Sequence, residues 1–210
     1  NPALGLEHPK IPRTHPRYLS LEESLRLLDA IQGDEYEKDF AIITMFLNTG
    51  LRMSELVGIN CSDIRDNCIT ILGKGNKERT AYLNTACQAA LESWLRVRPS
   101  DEACGTNALF LYRNKQRIRN KNVNALIRKH LAAAGLDAGL YSAHKLRHTA
   151  ATLMYKYGKV DIRALQEILG HANIEMTMIY THLDEQTLQD AMDRNPLSHD
   201  LPPDYPTDSG

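Results

Sequence analysis

The sequence contains no C-x-x-C pair, no G-x-x-x-x-G-K-[ST] loop and no apolar run long enough to span a bilayer. The first absence excludes zinc ribbons and thiol redox pairs. Cys61, Cys68, Cys87 and Cys104 are widely spaced and read as reduced thiols of a cytosolic protein. The second absence argues against a nucleotide-binding site. No clustered carboxylates of metal-site type occur either, so no metal and no cofactor are expected. The third leaves no membrane partner, and no secretory signal opens the chain. Internal repeats are lacking too. What is present is ordinary for a globular protein: 42% hydrophobic and 24% charged residues over 210 positions, enough for a core without disulfides.

A basic excess is also missing, since the net charge is -1. Its distribution matters more than its sum. Residues 184–210 hold seven acids against the single base Arg194, which leaves 24 basic and 19 acidic residues in 1–183, a net of +5. Within that body, Arg113, Lys115, Arg117, Arg119, Lys121, Arg128 and Lys129 form a run without any acid. Such a run is either a solvated face or a surface that tracks phosphates.

Residues 1–17 are interleaved with Pro2, Pro9, Pro12 and Pro16 and read as an extended interdomain linker whose upstream domain is absent. Ser20 and Glu23 then form a capping box ahead of Leu21, Leu25, Leu28 and Ile31 at helical spacing. A second helix is predicted over 36–48, ending near Gly50, and a short third one carries Arg52 and Glu55. Short strands follow around Ile64, 69–72 and 81–83, the last two separated by the turn GKGNKER (73–79). Asn84 caps a helix over 86–97, and 109–112 reads as a further strand. Beyond Asn120 helices are expected near 121–134, 143–157, 161–169, 173–182 and 184–193, with Asp161 and Asn173 as caps. The tail 196–210 is acidic, proline-rich and expected to be disordered. The fold class is α+β, mainly α-helical, with one small antiparallel sheet.

Chemistry is carried by four segments. TGLRMSEL places Arg52 and Glu55 on one helical face, where a surface ion pair is the bland reading. AHKLRHTAATLM places His144 and Arg147 one turn apart, beside Leu146, Ala150 and Leu153. LGH puts His171 just past Gly170, and Tyr180 falls nine residues later; a tyrosine there can simply pack. Lys74 sits in the glycine-rich turn. Together these are groups that metal-free phosphoryl transfer requires. Arginines offer bidentate donors to the nonbridging oxygens and stabilise a pentavalent transition state. Histidines move protons near neutral pH, a lysine protonates a leaving alkoxide, and a tyrosine supplies an oxygen nucleophile.

These segments, in this order and spacing, resemble the tyrosine recombinase (phage integrase) family, most closely its Xer-like bacterial members. The resemblance covers about Tyr18 to Met192. It implies that Arg52 and Arg147 clamp the scissile phosphate and that Glu55 orients the Arg52 region. Lys74 would be the general acid for the 5′-oxygen, His144 a general base or phosphate donor, and His171 a second phosphate donor. Tyr180 would attack phosphorus and hold the 3′-phosphate. Lys77 and Arg79, in the same turn as Lys74, are expected to contact DNA, as is the basic run. His148 and His182 are read as structural.

The resemblance further implies a catalytic domain over 18–195 that follows an absent core-binding domain. It implies a double-stranded DNA partner, a homotetramer on DNA and a monomer when free, with residues 184–193 docking on a neighbouring protomer. The expected setting is the bacterial cytoplasm, associated with the nucleoid, and no small-molecule substrate is expected. The competing readings are a type IB topoisomerase, a DNA-binding module without catalysis, and a small-molecule phosphohydrolase. The last would leave the 113–130 run unexplained.

Overall fold

Helix α1 (Leu21–Asp29) begins where its residues dictate. Glu23 N–H donates to the Ser20 hydroxyl at 3.1 Å, and Ser20 N–H donates to the Glu23 carboxylate at 2.7 Å. The two exchanges satisfy donors that a helix start leaves unpaired. The structure, a computed structural model, describes residues 18–72, 78–158, 160 and 162–170. The linker 1–17, the turn residues 73–77, the cap Asp161, the helices expected over 173–182 and 184–193 and the tail lie outside the described residues.

Helix α2 (Tyr36–Thr49) is the centre of the core. Residues 41–47 are buried without interruption, so the helix presents apolar side chains in every direction and must be surrounded. Helices α4 (Thr85–Val97) and α7 (Ala143–Lys156) pack on it, and α6 (Asn120–Ala133) reaches it through a buried contact of His130 Nε2 with Asp39 Oδ2 at 2.8 Å. Gly50 ends α2 at φ +62°. A Cβ there would stand 2.6 Å from Leu169 Cδ2, so both the backbone and the close approach of the later helix require glycine.

After α3 (Met53–Gly58) and a 3₁₀ turn (Cys61–Asp63), strands β1 (Ile64–Arg65), β2 (Cys68–Leu72) and β3 (Glu78–Tyr82) form an antiparallel sheet in that order. Ile69 pairs with Ala81 and Ile71 with Arg79. Strand alternation therefore turns Ile69, Ile71, Arg79 and Ala81 inward, and Thr70, Leu72, Thr80 and Tyr82 outward.

The strand expected over 109–112 is not one. Ala108 and Leu111 make only isolated bridges, to Asn60 and Arg117. The Trp94 indole N–H donates to Leu109 O at 2.9 Å, and the Arg98 guanidinium reaches Ala108 O and Leu109 O. Side chains thus occupy carbonyls that a ladder would use. A short helix α5 (Asp101–Cys104), capped by Ser100, is additional to the sequence expectation. Helix α8 (Ile162–Leu169) closes the described chain.

Candidate active site

A helix ends with carbonyls that lack internal partners and with the negative end of its dipole. At the end of α8, three successive carbonyls are each taken by a different arginine. Arg79 Nη1 donates to Ile168 O at 3.0 Å, Arg147 Nη2 to Leu169 O at 2.7 Å, and Arg52 Nη2 to Gly170 O at 3.2 Å. Gly170 itself has φ +70°, and a Cβ on it would lie 3.1 Å from Arg79 Cδ and 3.5 Å from Arg52 Nη1. The arginines come from β3, α7 and the residue that precedes α3, so three distant segments converge on one turn.

Glu55 ties two of them together. Its carboxylate accepts from Arg52 N–H at 2.8 Å, from Arg52 Nη1 at 2.9 Å and from Arg79 Nη2 at 2.8 Å. Burial on its own would push the Glu55 carboxyl up. Hydrogen bonds from Arg79 and the Arg52 backbone, with the Arg79 charge, outweigh burial and hold it below the ordinary carboxylate value of 4.5. A depressed folded value adds stability that is present above the unfolded value and is lost as pH falls through the folded one. Glu55→Gln is therefore expected to cost about 3 kcal/mol at pH 7, the scale for breaking a buried pair. That deficit should shrink as pH falls below 4.5 in urea titrations. Parallel stability curves for the two proteins across that range would contradict the assignment.

Arg147 is 1% exposed, and its Nη1 donates to Gly50 O. It links the end of α2 to the end of α8. His144, one turn earlier on the same helix, is exposed, and its Nε2 lies 2.9 Å from Nε2 of buried His148. The two rings meet edge to face, 4.4 Å between centroids. Two imidazole nitrogens in contact need one N–H and one lone pair, so the pair shares a single proton at that point. His148 thus has a direct link to a site residue that the sequence reading missed. The i, i+4 spacing on α7 is the signal that could have found it.

A cleft of about 1550 Å³ opens beside Arg52, Glu55 and Arg79, lined among others by Asn48, Tyr82, Met154 and Glu167. A guanidinium carries five N–H donors, and contacts with the described residues take two of those on Arg52, so among the described residues this side chain has donors for an oxyanion in the cleft. Arg52, Glu55, His144 and Arg147 are thus placed by α3, α7 and the end of α8. Lys74, Lys77, His171 and Tyr180 lie outside the described residues.

The basic run divides. Arg113, Lys115, Arg119, Lys121, Arg128 and Lys129 are exposed, and a smaller cleft of about 230 Å³ opens among Tyr112, Arg119 and Lys121. Arg117 departs from the phosphate contact expected of it. Its guanidinium donates to Val57 O at 2.9 Å, to Ile59 O at 3.0 Å and to Asn60 Oδ1. Arg79 departs likewise, because strand alternation turns it inward onto Glu55 and Ile168 O. Among the described residues no group of three metal-ligating side chains occurs, and no helix is long and apolar enough to cross a membrane.

A family model described as the phage integrase family matches residues 17–187. The tyrosine recombinase XerC of Caldanaerobacter subterraneus subsp. tengcongensis is 54% identical over 200 residues, covering 95% of this chain and 57% of that protein. XerC of Pseudomonas aeruginosa is 38% identical over 199 residues, covering 92% and 64%. The chain thus spans 57% to 64% of the length of these curated relatives. Among solved structures, XerA recombinase superposes with a TM-score of 0.71 at 32% identity, over 87% of this chain and 66% of that one. XerH recombinase, bound to a palindromic difH substrate in a post-cleavage complex, gives 0.69 at 26% identity, over 89% and 55%.

Proposed function

The chain belongs to the phage integrase family, and from that premise we propose that it is the catalytic portion of a site-specific DNA recombinase that cuts and rejoins strands through a 3′-phosphotyrosine. Its fold, mainly helical with a small antiparallel sheet, is that of the tyrosine recombinase catalytic domain. The observation that supports the reaction best is the convergence of Arg52 and Arg147 on the end of α8, with His144 one turn from Arg147.

In this reading Arg52 and Arg147 bind the nonbridging oxygens and stabilise the charge that builds in the pentavalent state. Tyr180 attacks phosphorus, and the bond to the 5′-oxygen breaks. His144 takes or relays the phenol proton, Lys74 protonates the departing 5′-oxygen, and His171 adds a phosphate donor. The phosphotyrosine conserves the energy of the broken bond, so the reverse attack by a 5′-hydroxyl reseals the strand without ATP. Likeness to XerC at 54% identity supports strand exchange over the relaxation chemistry of type IB topoisomerases.

The DNA-facing set becomes Lys77, Arg113, Lys115, Arg119, Lys121, Arg128 and Lys129, since Arg79 and Arg117 are engaged internally. Residues 18–195 form the catalytic domain, 1–17 a linker from a core-binding domain, and 196–210 a tail. The protein works as a homotetramer on double-stranded DNA, is monomeric when free, and acts in the bacterial cytoplasm on the nucleoid. XerH in its structure with difH is bound to DNA after cleavage, which supports the same partner here.

The test is incubation with nicked duplexes of randomised core, in EDTA and without nucleotide. The expected result is a covalent protein–DNA adduct that survives denaturing electrophoresis, and it should form in EDTA because the positive charge at the phosphate comes from arginines. No adduct, or one that forms only when Mg²⁺ is restored, would sink the proposal.

A further inference from the structure

We infer that Arg79 is a positioning residue of this site: it braces Glu55 and the end of α8 together, so that Arg52 and Arg147 keep their aim when a phosphate enters. The inference rests on the DNA-cleaving reading above and adds a residue to it. A basic side chain on a strand that follows the Lys74 turn invites reading as a phosphate contact, but the geometry opposes that. Arg79 occupies an inward position of β3, opposite Ile71. Its side chain is 17% exposed, against 41% for Arg52, and its charge faces the 4%-exposed carboxylate of Glu55 at 2.8 Å. One amino group holds Glu55 Oε2 and the other holds Ile168 O, while Nε is buried with no partner among the described residues. Turned inward, with its charge already paired to the Glu55 carboxylate, Arg79 is a poor counterion for DNA.

The same contacts suit it to hold other groups still. Arg52 is a long, partly exposed side chain whose direction is set by Glu55 Oε1 and Gly170 O. A phosphate arriving in the cleft engages other donors of Arg52 and pulls the side chain against both contacts. Glu55 keeps its place against that pull because Arg79 holds its other oxygen. Gly170 keeps its place because the Arg79 stem packs against it, and Ile168 O is anchored two residues earlier. Without Arg79, Glu55 faces burial with Arg52 as its remaining cation among the described residues, and the end of α8 loses one of the three arginine anchors described there. Both changes misdirect Arg52 without removing any group that touches the substrate.

The experiment compares Arg79→Met, Arg79→Lys and the unaltered chain on a duplex recovered from the adduct selection above. Affinity is measured across a salt series, and the single-turnover rate of adduct formation at saturating protein. For Arg79→Met we expect a rate about 100-fold lower, the scale of a 1 Å misplacement. For Arg79→Lys we expect about a tenfold loss, because an ammonium holds Glu55 or the carbonyl but does not fork to both. Affinity should stay within about twofold and the salt slope unchanged. A rate equal to that of the unaltered chain overturns the inference. So does a salt slope reduced by about 1 with the rate recovered at saturation, the signature of a phosphate contact. Should circular dichroism show Arg79→Met unfolded, Arg79→Lys decides alone by its rate. Absence of adduct in the unaltered chain refutes the DNA-cleaving reading and this inference with it, whereas a normal adduct in all three proteins refutes the inference only.

Discussion

Replacing Tyr180 with phenylalanine is expected to abolish the covalent adduct while DNA affinity stays within about twofold, since one hydroxyl is lost and no charge changes. Phenylalanine keeps the aromatic ring, so whatever apolar role the position has survives. What disappears is the one oxygen that could bond to phosphorus in the nine-residue register after His171. Removal of a nucleophile that works with its partners as a unit lowers turnover by about 10⁴-fold or more, below detection on a gel. The measurement is adduct yield on the nicked duplex beside a binding isotherm on the same DNA. Undiminished adduct in Tyr180→Phe would assign the nucleophile to another residue and undo the reading of the site. Lost binding together with lost adduct would point to a packing role.

The parts of the fold that are local in sequence were legible. Ser20 with Glu23, and Asn84 ahead of Cys87, announce their helices because a cap needs only residues three apart. Of the four segments singled out for chemistry, the spacing of two announced described helices, α3 with Glu55 and α7 with His144 and Arg147. Contacts between distant segments were not. Arg52 to Gly170 O spans 118 residues and Arg79 to Ile168 O spans 89, and neither partner carries a side chain that advertises the pairing. Backbone carbonyls are the same at every position, so a sequence cannot say which arginine will find which helix end.

Arg79 and Arg117 show the other limit. In sequence they are cations among cations, and composition assigns them to DNA with their neighbours. The structure separates them by direction. Alternation along β3 from Ala81 turns Arg79 inward, and that signal was available. Arg117 had no such signal, because Tyr112 to Arg119 is irregular and only the positions of Val57, Ile59 and Asn60 decide where its guanidinium goes. The segment 109–112 differs for a related reason: Leu109, Phe110 and Leu111 are buried as expected, but Trp94 and Arg98 side chains take the Ala108 and Leu109 carbonyls.

Arg147→Lys is expected to lower the single-turnover rate of adduct formation by about 10²- to 10³-fold, the scale on which one preorganised oxyanion donor contributes. The cause is geometric, since lysine retains the charge. Arg147 holds Gly50 O with one amino group and Leu169 O with the other, fixing the plane of its fork between the ends of α2 and α8. In the proposed reaction that fixed plane sets the angle at which the guanidinium would face the phosphate. An ammonium has three donors on a flexible stem, so it satisfies one carbonyl and loses both the second and the angle. The orphaned carbonyl lies in a fully buried place, and the fold should weaken by about 1–3 kcal/mol. Gly50 and Leu169 are in contact range of each other, so that loss should appear as loosening between α2 and α8. Urea denaturation measures the stability term and saturating-protein kinetics the chemical one. A rate unchanged from that of the parent chain would remove Arg147 from the phosphate clamp. A rate loss fully restored by cooling would assign Arg147 to the fold alone, whereas a loss that persists well below the melting temperature, at unchanged Kd, assigns it to the transition state.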